Sequence, residues 1–126
     1  MIVADASLVV ALLDSKDAHH ARAAEIVLDH PDLLIHPVNL AEVLVGPARA
    51  GAAAEVYQAL ESVGLRVDVP DTDQPVRVAE LRAQSRLKLP DCYALDAAET
   101  HRAALATFDA GLASRARARR VVVVDR

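Results

Sequence analysis

The feature that most constrains this chain is a rhythm: short, mostly apolar runs alternate with longer stretches of helical spacing, and no hairpin turn joins any two of the runs. The runs cover residues 1–5 (Met-Ile-Val-Ala, ending in Asp5), 33–35 (Leu-Leu-Ile), 65–69 (Leu-Arg-Val-Asp-Val, which alternates like a strand instead), 104–108 (Ala-Leu-Ala-Thr-Phe) and 121–124 (four valines). Runs this short and this apolar suit strands buried on both faces. Helical spacing is expected over 6–13, 18–28 (stopped around His30-Pro31), 52–63 (ended by Gly64), 74–87, 90 to about 101, and 110–116. A further helix, capped by Asn39 and carrying Leu40, Val43 and Leu44 on one side, is expected to bend or break at Gly46-Pro47. The order βααβααβααβαβ predicts a three-layer α/β/α architecture with a central parallel sheet, because parallel neighbours need helical crossovers that cover both faces. At 126 residues the chain is expected to form a single domain, 1–126.

Composition narrows the function classes. With 53% hydrophobic and 25% charged residues the chain is globular rather than disordered. Its only aromatics are Tyr57, Tyr93 and Phe108, so the core is built from Ala, Val and Leu, there are few rings on which bases could stack, and a stacking-type RNA reader is not expected. Cys92 is the sole cysteine and no secretory leader opens the sequence, from which a cytoplasmic location is expected. Charges interrupt every apolar run before membrane-spanning length, so no membrane insertion is expected. The net charge of -4 argues against gripping nucleic acid by bulk positive charge, so an RNA substrate would need local cations or a metal.

Four acids occupy one kind of position. Asp5 ends the first run, Glu42 and Asp91 fall in the first turns of expected helices, and Asp109 follows the fourth run. In an open parallel sheet these places face the crevice beyond the carboxyl ends of the strands, where ligands bind. Converging carboxylates raise one another's pKa or recruit a cation, and a hard all-oxygen set suits Mg²⁺ or Mn²⁺. Each acid alone has a structural explanation: Asp5 and Asp109 as helix caps, Asn39 with Glu42 as a capping-box variant, and Asp91 at the positive end of a helix dipole.

The residues around the acids carry a resemblance. Val3-Ala-Asp5-Ala-Ser7, Asn39-Leu-Ala-Glu42-Val-Leu-Val-Gly46, Leu89-Pro-Asp91-Cys-Tyr-Ala-Leu and Leu105-Ala-Thr107-Phe-Asp109-Ala-Gly-Leu occur in order along the whole chain. Together they resemble the motifs of PIN-domain ribonucleases, in particular VapC-type toxins of toxin-antitoxin modules. The resemblance implies a metal-dependent endoribonuclease with Asp5 and Asp91 as principal ligands of Mg²⁺ (Mn²⁺ possible), and with Glu42 and Asp109 completing the pocket. Ser7 and Thr107 match hydroxyl positions that orient the acids. It implies an RNA substrate, a homodimer, and a VapB-type antitoxin whose C-terminal segment lies in an apolar groove to which Leu12, Leu13, Ile26, Val27 and residues 40–45 could contribute. Asp96 departs from the family pattern. Five residues along the helix from Asp91, it reads as a solvated or locally paired charge.

Other reactive residues are assigned plainer roles. None of His19, His20, His30, His36 and His101 has zinc-site spacing, and Cys92 without a partner reads as a buried small hydrophobe. Of the basic residues, Arg77 and Arg82 read as a solvated helix face, whereas Arg86, Lys88, Arg115 and Arg117 are candidates for contacts to RNA phosphates. Two rival functions remain. A phosphotransfer domain fits poorly, because residues 33–37 hold no phospho-accepting Asp and Ser7 stands where a phosphatase needs a second Asp. A catalytically silent PIN-like module that only binds protein would be expected to have lost acids that are all present here.

Overall fold

The computed structural model describes residues 1–125. Along the chain run β1 Ile2–Ala4, α1 Ala6–Leu13, α2 His20–Asp29, β2 Leu33–Ile35, α3 Pro37–Arg49, α4 Ala53–Ser62, β3 Leu65–Val67, α5 Gln74–Ser85, α6 Leu89–His101, β4 Ala104–Ala106, α7 Ala110–Ala118 and β5 Val123–Val124. The order of element types is the one the apolar rhythm predicts. The strands form one sheet in the order β3-β2-β1-β4-β5, and every neighbouring pair is parallel.

The alternation of side chains along a strand divides the core in two. Ile2, Ala4, Leu33, Ile35, Leu65 and Ala106 pack on one face of the sheet with Leu8, Val9, Ile26, Leu40, Val43 and Leu60 from the first four helices. Val3, Leu34 and Leu105 pack on the other face with Val78, Leu81, Leu95 and Leu112 from the last three helices. The result is the three-layer arrangement. Helix α6 lies deepest, with Cys92, Ala94, Leu95, Ala97 and Ala98 all buried, and its small side chains let it sit close against the sheet.

Because the register aligns Ala4 with Ile35 on one side and with Ala106 on the other, the carboxyl ends of the three central strands finish level. The chain leaves β1 for β2 on one flank, while β4 fills the other flank, so strand order reverses at β1. The crevice at such a reversal lies directly beyond Ala4, and Asp5 is the next residue.

Several local expectations are corrected. Helix α3 starts at Pro37, whose fixed φ suits the first helical position, and its cap is His36, whose Nδ1 accepts the Val38 N–H at 3.0 Å. Asn39 is therefore inside the helix and not its cap, and Glu42 falls in the second turn rather than the first. Pro47 does not interrupt α3: it stands in the last turn and the helix runs on to Arg49. The strands are shorter than the apolar runs: 65–69 is a strand only to Val67, 104–108 only to Ala106, and 121–124 only from Val123.

Candidate active site

Asp5 is the best-anchored of the four acids. It caps α1, with Oδ1 accepting the Leu8 N–H at 3.1 Å and the Ser7 hydroxyl at 2.7 Å, while Oδ2 accepts the Thr107 hydroxyl at 2.5 Å. Only 3% of the residue is exposed. Burial pushes its carboxyl above the usual range, the three hydrogen bonds pull the other way without cancelling it, and the nearby Asp109 adds to the rise. The two hydroxyls act in both directions. Ser7 Oγ accepts the Phe108 N–H and Thr107 Oγ1 accepts the Asp109 N–H, each at 3.0 Å, so the hydroxyls that hold Asp5 also hold the loop after β4.

Asp109 caps α7, accepting the Leu112 N–H at 2.9 Å, and remains exposed. A side chain at residue 111 would place a Cβ 3.3 Å from its Oδ1, and glycine there leaves the carboxylate room. Asp91 stands in the first turn of α6, just after Pro90, and is partly buried. Burial, followed by the charges of Asp109, Asp5 and Glu42, pushes its carboxyl up to about 6, and Lys88 offsets this only in part. Asp5, Glu42 and Asp109 therefore all act on Asp91, although the four acids come from four separate segments of the chain.

Glu42 joins this group through a residue the sequence reading misassigned. The side chain of Asn39 is buried, and its Nδ2 donates both to Glu42 Oε1 at 3.2 Å and to the Pro90 carbonyl at 3.0 Å. Both partners are acceptors, so the amide nitrogen must face them. It thereby ties α3 to the start of α6 and brings Glu42 toward Asp91. Asn39 Oδ1 is left buried without a donor. The cue available in the sequence was Pro37, which marks the helix start and moves Asn39 into the helix.

The donors are hard oxygens and Lys88 compensates their mutual repulsion only in part, a chemistry that fits Mg²⁺ or Mn²⁺. Among the described residues, no three acidic, histidine or cysteine side chains already stand as a closed ligating cluster. The acids share a field rather than a cage.

The remaining sequence candidates divide. Lys88 precedes α6 and is the cation felt by Asp91, with Arg86 two residues before it at the C-terminal cap of α5. Arg115 and Arg117 lie in the last turn of α7, at the opposite end of that helix from Asp109, and Arg117 pairs with Asp125 at 2.9 Å. Cys92 is buried, and burial pushes its thiol up, which fits an inert core residue. Asp96 is not solvated. It is 5% exposed and accepts from Gln74 Nε2 at 3.1 Å, Arg77 Nε at 3.0 Å and Arg77 Nη2 at 3.1 Å, so of the two readings of Asp96 the paired one holds, its partners lie on α5, and Arg77 belongs to a network rather than to a solvated face. That network continues through Gln74 Oε1 to His36 Nε2 at 2.7 Å, and the His36 ring stacks on Tyr93 with centroids 4.6 Å apart.

Comparison with known proteins follows from this geometry. The family profile of the PIN domain matches residues 2–118. A toxin-antitoxin complex from Klebsiella pneumoniae superposes with a TM-score of 0.80 at 22% identity, over 99% of this chain and 97% of that one. VapC20 of Mycobacterium tuberculosis, a sarcin-ricin loop cleaving toxin, gives 0.76 at 18% identity over 91% and 95% of the two chains. FitAcB of Neisseria gonorrhoeae gives 0.72 at 18% identity over 99% and 97%. At these identities the likeness is one of fold. A search of curated proteins finds no match.

Proposed function

The chain belongs to the PIN domain family, and from that premise we propose that it is a metal-dependent endoribonuclease, the toxin of a toxin-antitoxin pair. The observation that carries the reading is the gathering of Asp5, Glu42, Asp91 and Asp109 beyond the carboxyl end of β1, where burial first and then the charges of the other three acids raise Asp91 to about 6. A purely structural acid is not left beside three others. The similarity in fold to a sarcin-ricin loop cleaving toxin supports RNA as the substrate.

Asp5 and Asp91 would be the principal holders of Mg²⁺ or Mn²⁺, with Glu42 and Asp109 completing the pocket. When bound, such an ion supplies positive charge for the phosphate oxygens and acidifies a water for in-line attack. The protein's own contribution is order. Ser7 and Thr107 hold both oxygens of Asp5 in place, Asn39 holds Glu42 against the start of α6, and the Ser7 and Thr107 contacts to residues 108 and 109 keep Asp109 in register with Asp5. Lys88, whose charge reaches Asp91, and Arg86 two residues before it would supply cations for the RNA phosphates.

The partner half of the reading draws on a groove. A cavity of about 640 Å³ between α1, α2 and α4 is lined by Leu12, Leu13, Val27, Leu28, Leu60 and Val63. Leu28 is 81% exposed, an unusual burden for an isolated surface and one that an apolar antitoxin segment would relieve. The groove differs in composition from the expectation, because Ile26, Leu40 and Val43 lie in the core instead. We assign the homodimer to the same reading, and light scattering across micromolar concentrations tests it, with a monomer counting against it.

Incubation of the purified chain with bulk RNA tests the nuclease reading. Cleavage is expected with Mg²⁺ or Mn²⁺ and not with EDTA, and Asp5→Asn is expected to remove it. EDTA-resistant cleavage, or a folded wild type that binds partner protein but never cuts RNA, would overturn the reading in favour of another chemistry or a silent binding module.

A further inference from the structure

Beside Asp109 a second feature appears that the acids do not explain. His19 and Phe108 lie face to face, with ring centroids 4.4 Å apart and planes 7° from parallel. Both rings line a cavity of about 470 Å³, whose wall also includes Arg22, Asp109, Ala110 and Asp125. Phe108 is part-buried against the core and rigidly placed, since its N–H donates to the Ser7 hydroxyl that in turn donates to Asp5. The platform is thus linked to the most buried acid of the site through two hydrogen bonds.

His19 is exposed and occupies the cap position of α2, yet its ring makes no capping hydrogen bond. His36, at the equivalent position of α3, does cap. A Ser, Thr, Asp or Asn at residue 19 would add helix stability that the histidine forgoes. Its ring instead extends the only phenylalanine of the chain toward solvent.

We propose that the His19–Phe108 stack is a base-binding subsite, which receives one unpaired nucleobase of the RNA whose phosphate the acids engage. The proposal rests on the nuclease reading for the identity of its ligand. A parallel pair of flat rings with one face toward a cavity is the shape that a base completes, and every base has a π-face to offer. A base inside a duplex has both faces already covered, so the subsite selects single-stranded or extruded nucleotides. Its adjacency to Asp109 sets the bound base next to the reacting phosphate rather than at a distant anchor. Sparse aromatic content is no obstacle, since one platform suffices for one base.

The test measures binding as well as cleavage. A short oligoribonucleotide carrying 2-aminopurine at successive positions is titrated with the protein in Ca²⁺, its integrity checked by gel, and the same oligomer with an abasic residue at the responsive position serves as control. Stacking on the platform quenches 2-aminopurine at one position. His19→Ala is expected to abolish that quenching and weaken binding about tenfold, within the range known for loss of one base stack. His19→Tyr is expected to retain both, and the abasic oligomer should bind wild type and His19→Ala alike. Because His19 is exposed, the Ala variant is expected to fold, and Phe108→Leu provides a second variant that keeps bulk in the core while removing the ring. Equal quenching and affinity in wild type and His19→Ala, or no binding of the oligomer, overturns the subsite. RNA cleavage by the same preparations is scored separately, so a cleaving enzyme indifferent to residue 19 sinks the subsite alone, and a base-stacking protein that never cleaves sinks the nuclease alone.

Discussion

Helix α6 carries two aspartates five residues apart that solve the same problem in opposite ways. Asp96 is almost fully buried, and the protein supplies what its charge requires: both Nε and Nη2 of Arg77, and the amide of Gln74, with Asp71 sharing the guanidinium from its other side at 2.8 Å. Asp91 is less buried, yet its neighbours are three more carboxylates, and only Lys88 works in its favour. Burial alone would rank Asp96 as the more unusual residue. Pairing reverses the ranking: a carboxylate whose partners are inside the protein is part of the structure, and one left among its own kind is waiting for something from outside.

The sharpest way to break this comparison is to neutralise each acid in turn. Asp91→Asn is expected to lower RNA cleavage on the order of a thousandfold, about 4 kcal/mol in activation free energy. Asp96→Asn, measured per folded molecule, is expected to lose less than about tenfold, as for a residue that acts only by supporting others. Initial rates on one RNA substrate decide it. Comparable losses in the two variants would erase the distinction between a paired acid and an unpaired one.

Stability should invert the order. Asp96→Ala leaves the Gln74 amide buried without its acceptor and is expected to cost about 2–3 kcal/mol in urea unfolding. In the metal-free protein, Asp91→Ala is expected to cost little or to stabilise, because it relieves repulsion. A large loss at residue 91 in EDTA would mean that its carboxylate has a structural partner after all.

How far these roles could be read beforehand depends on the range of the interaction involved. The element order and the covering of the sheet on both faces were legible because buried strands and helices leave a local pattern in the sequence, as at Ile2, Val3 and Ala4, which are all buried although successive residues point to opposite faces. Asp5 and Asp109 were legible as caps and as neighbouring acids together, since both features follow from a place just beyond a strand end. Asn39 has the composition of a cap but stands one turn inside the helix, because Pro37 at the first helical position sets the start of α3 and leaves the cap to His36. The partners of Asp96 lie 19 and 22 residues away on α5, and no periodicity within α6 can announce them. The near-complete burial of α6 was the missing premise, since a charge on such a helix has to be paired.

Acidity gives a smaller, graded test of the same comparison. The Asp91 carboxyl rises from an ordinary value of 3.8 to about 6 on folding, so the folded state binds its proton more tightly than the unfolded state. The contribution to stability is therefore fully present below pH 3.8 and is lost as pH rises through 6. Full burial would make this about 3 kcal/mol, and solvent screening of a partly exposed group reduces it to about 1–2 kcal/mol. Metal-free wild type should lose that stability across this window relative to Asp91→Asn, and Mg²⁺ should restore part of it at neutral pH by binding only the folded, ionised site. Parallel pH profiles for the two proteins would remove the electrostatic case for the site.

The smallest expected effect separates a cap from a ligand at Asp109, where the two roles coincide. Its Oδ1 accepts the Leu112 N–H at 2.9 Å, a bond that an asparagine oxygen makes about equally well. As a cap alone, Asp109→Asn should change stability by no more than about 0.5 kcal/mol, whereas Asp109→Ala should lose about 1 kcal/mol with the capping bond. Activity should not follow that pattern. Asparagine lacks the charge through which Asp109 raises both Asp5 and Asp91, so both variants should be impaired in cleavage alike, and less severely than Asp5→Asn, whose side chain is held by Ser7, Thr107 and the Leu8 amide at the centre of the group. In metal-free protein the loss of that charge should lower the Asp91 pKa from about 6, a shift that NMR titration of the carboxyl carbons can follow. A folded Asp109→Asn with full activity and an unmoved Asp91 titration would leave residue 109 as a helix cap and reduce the site to three acids.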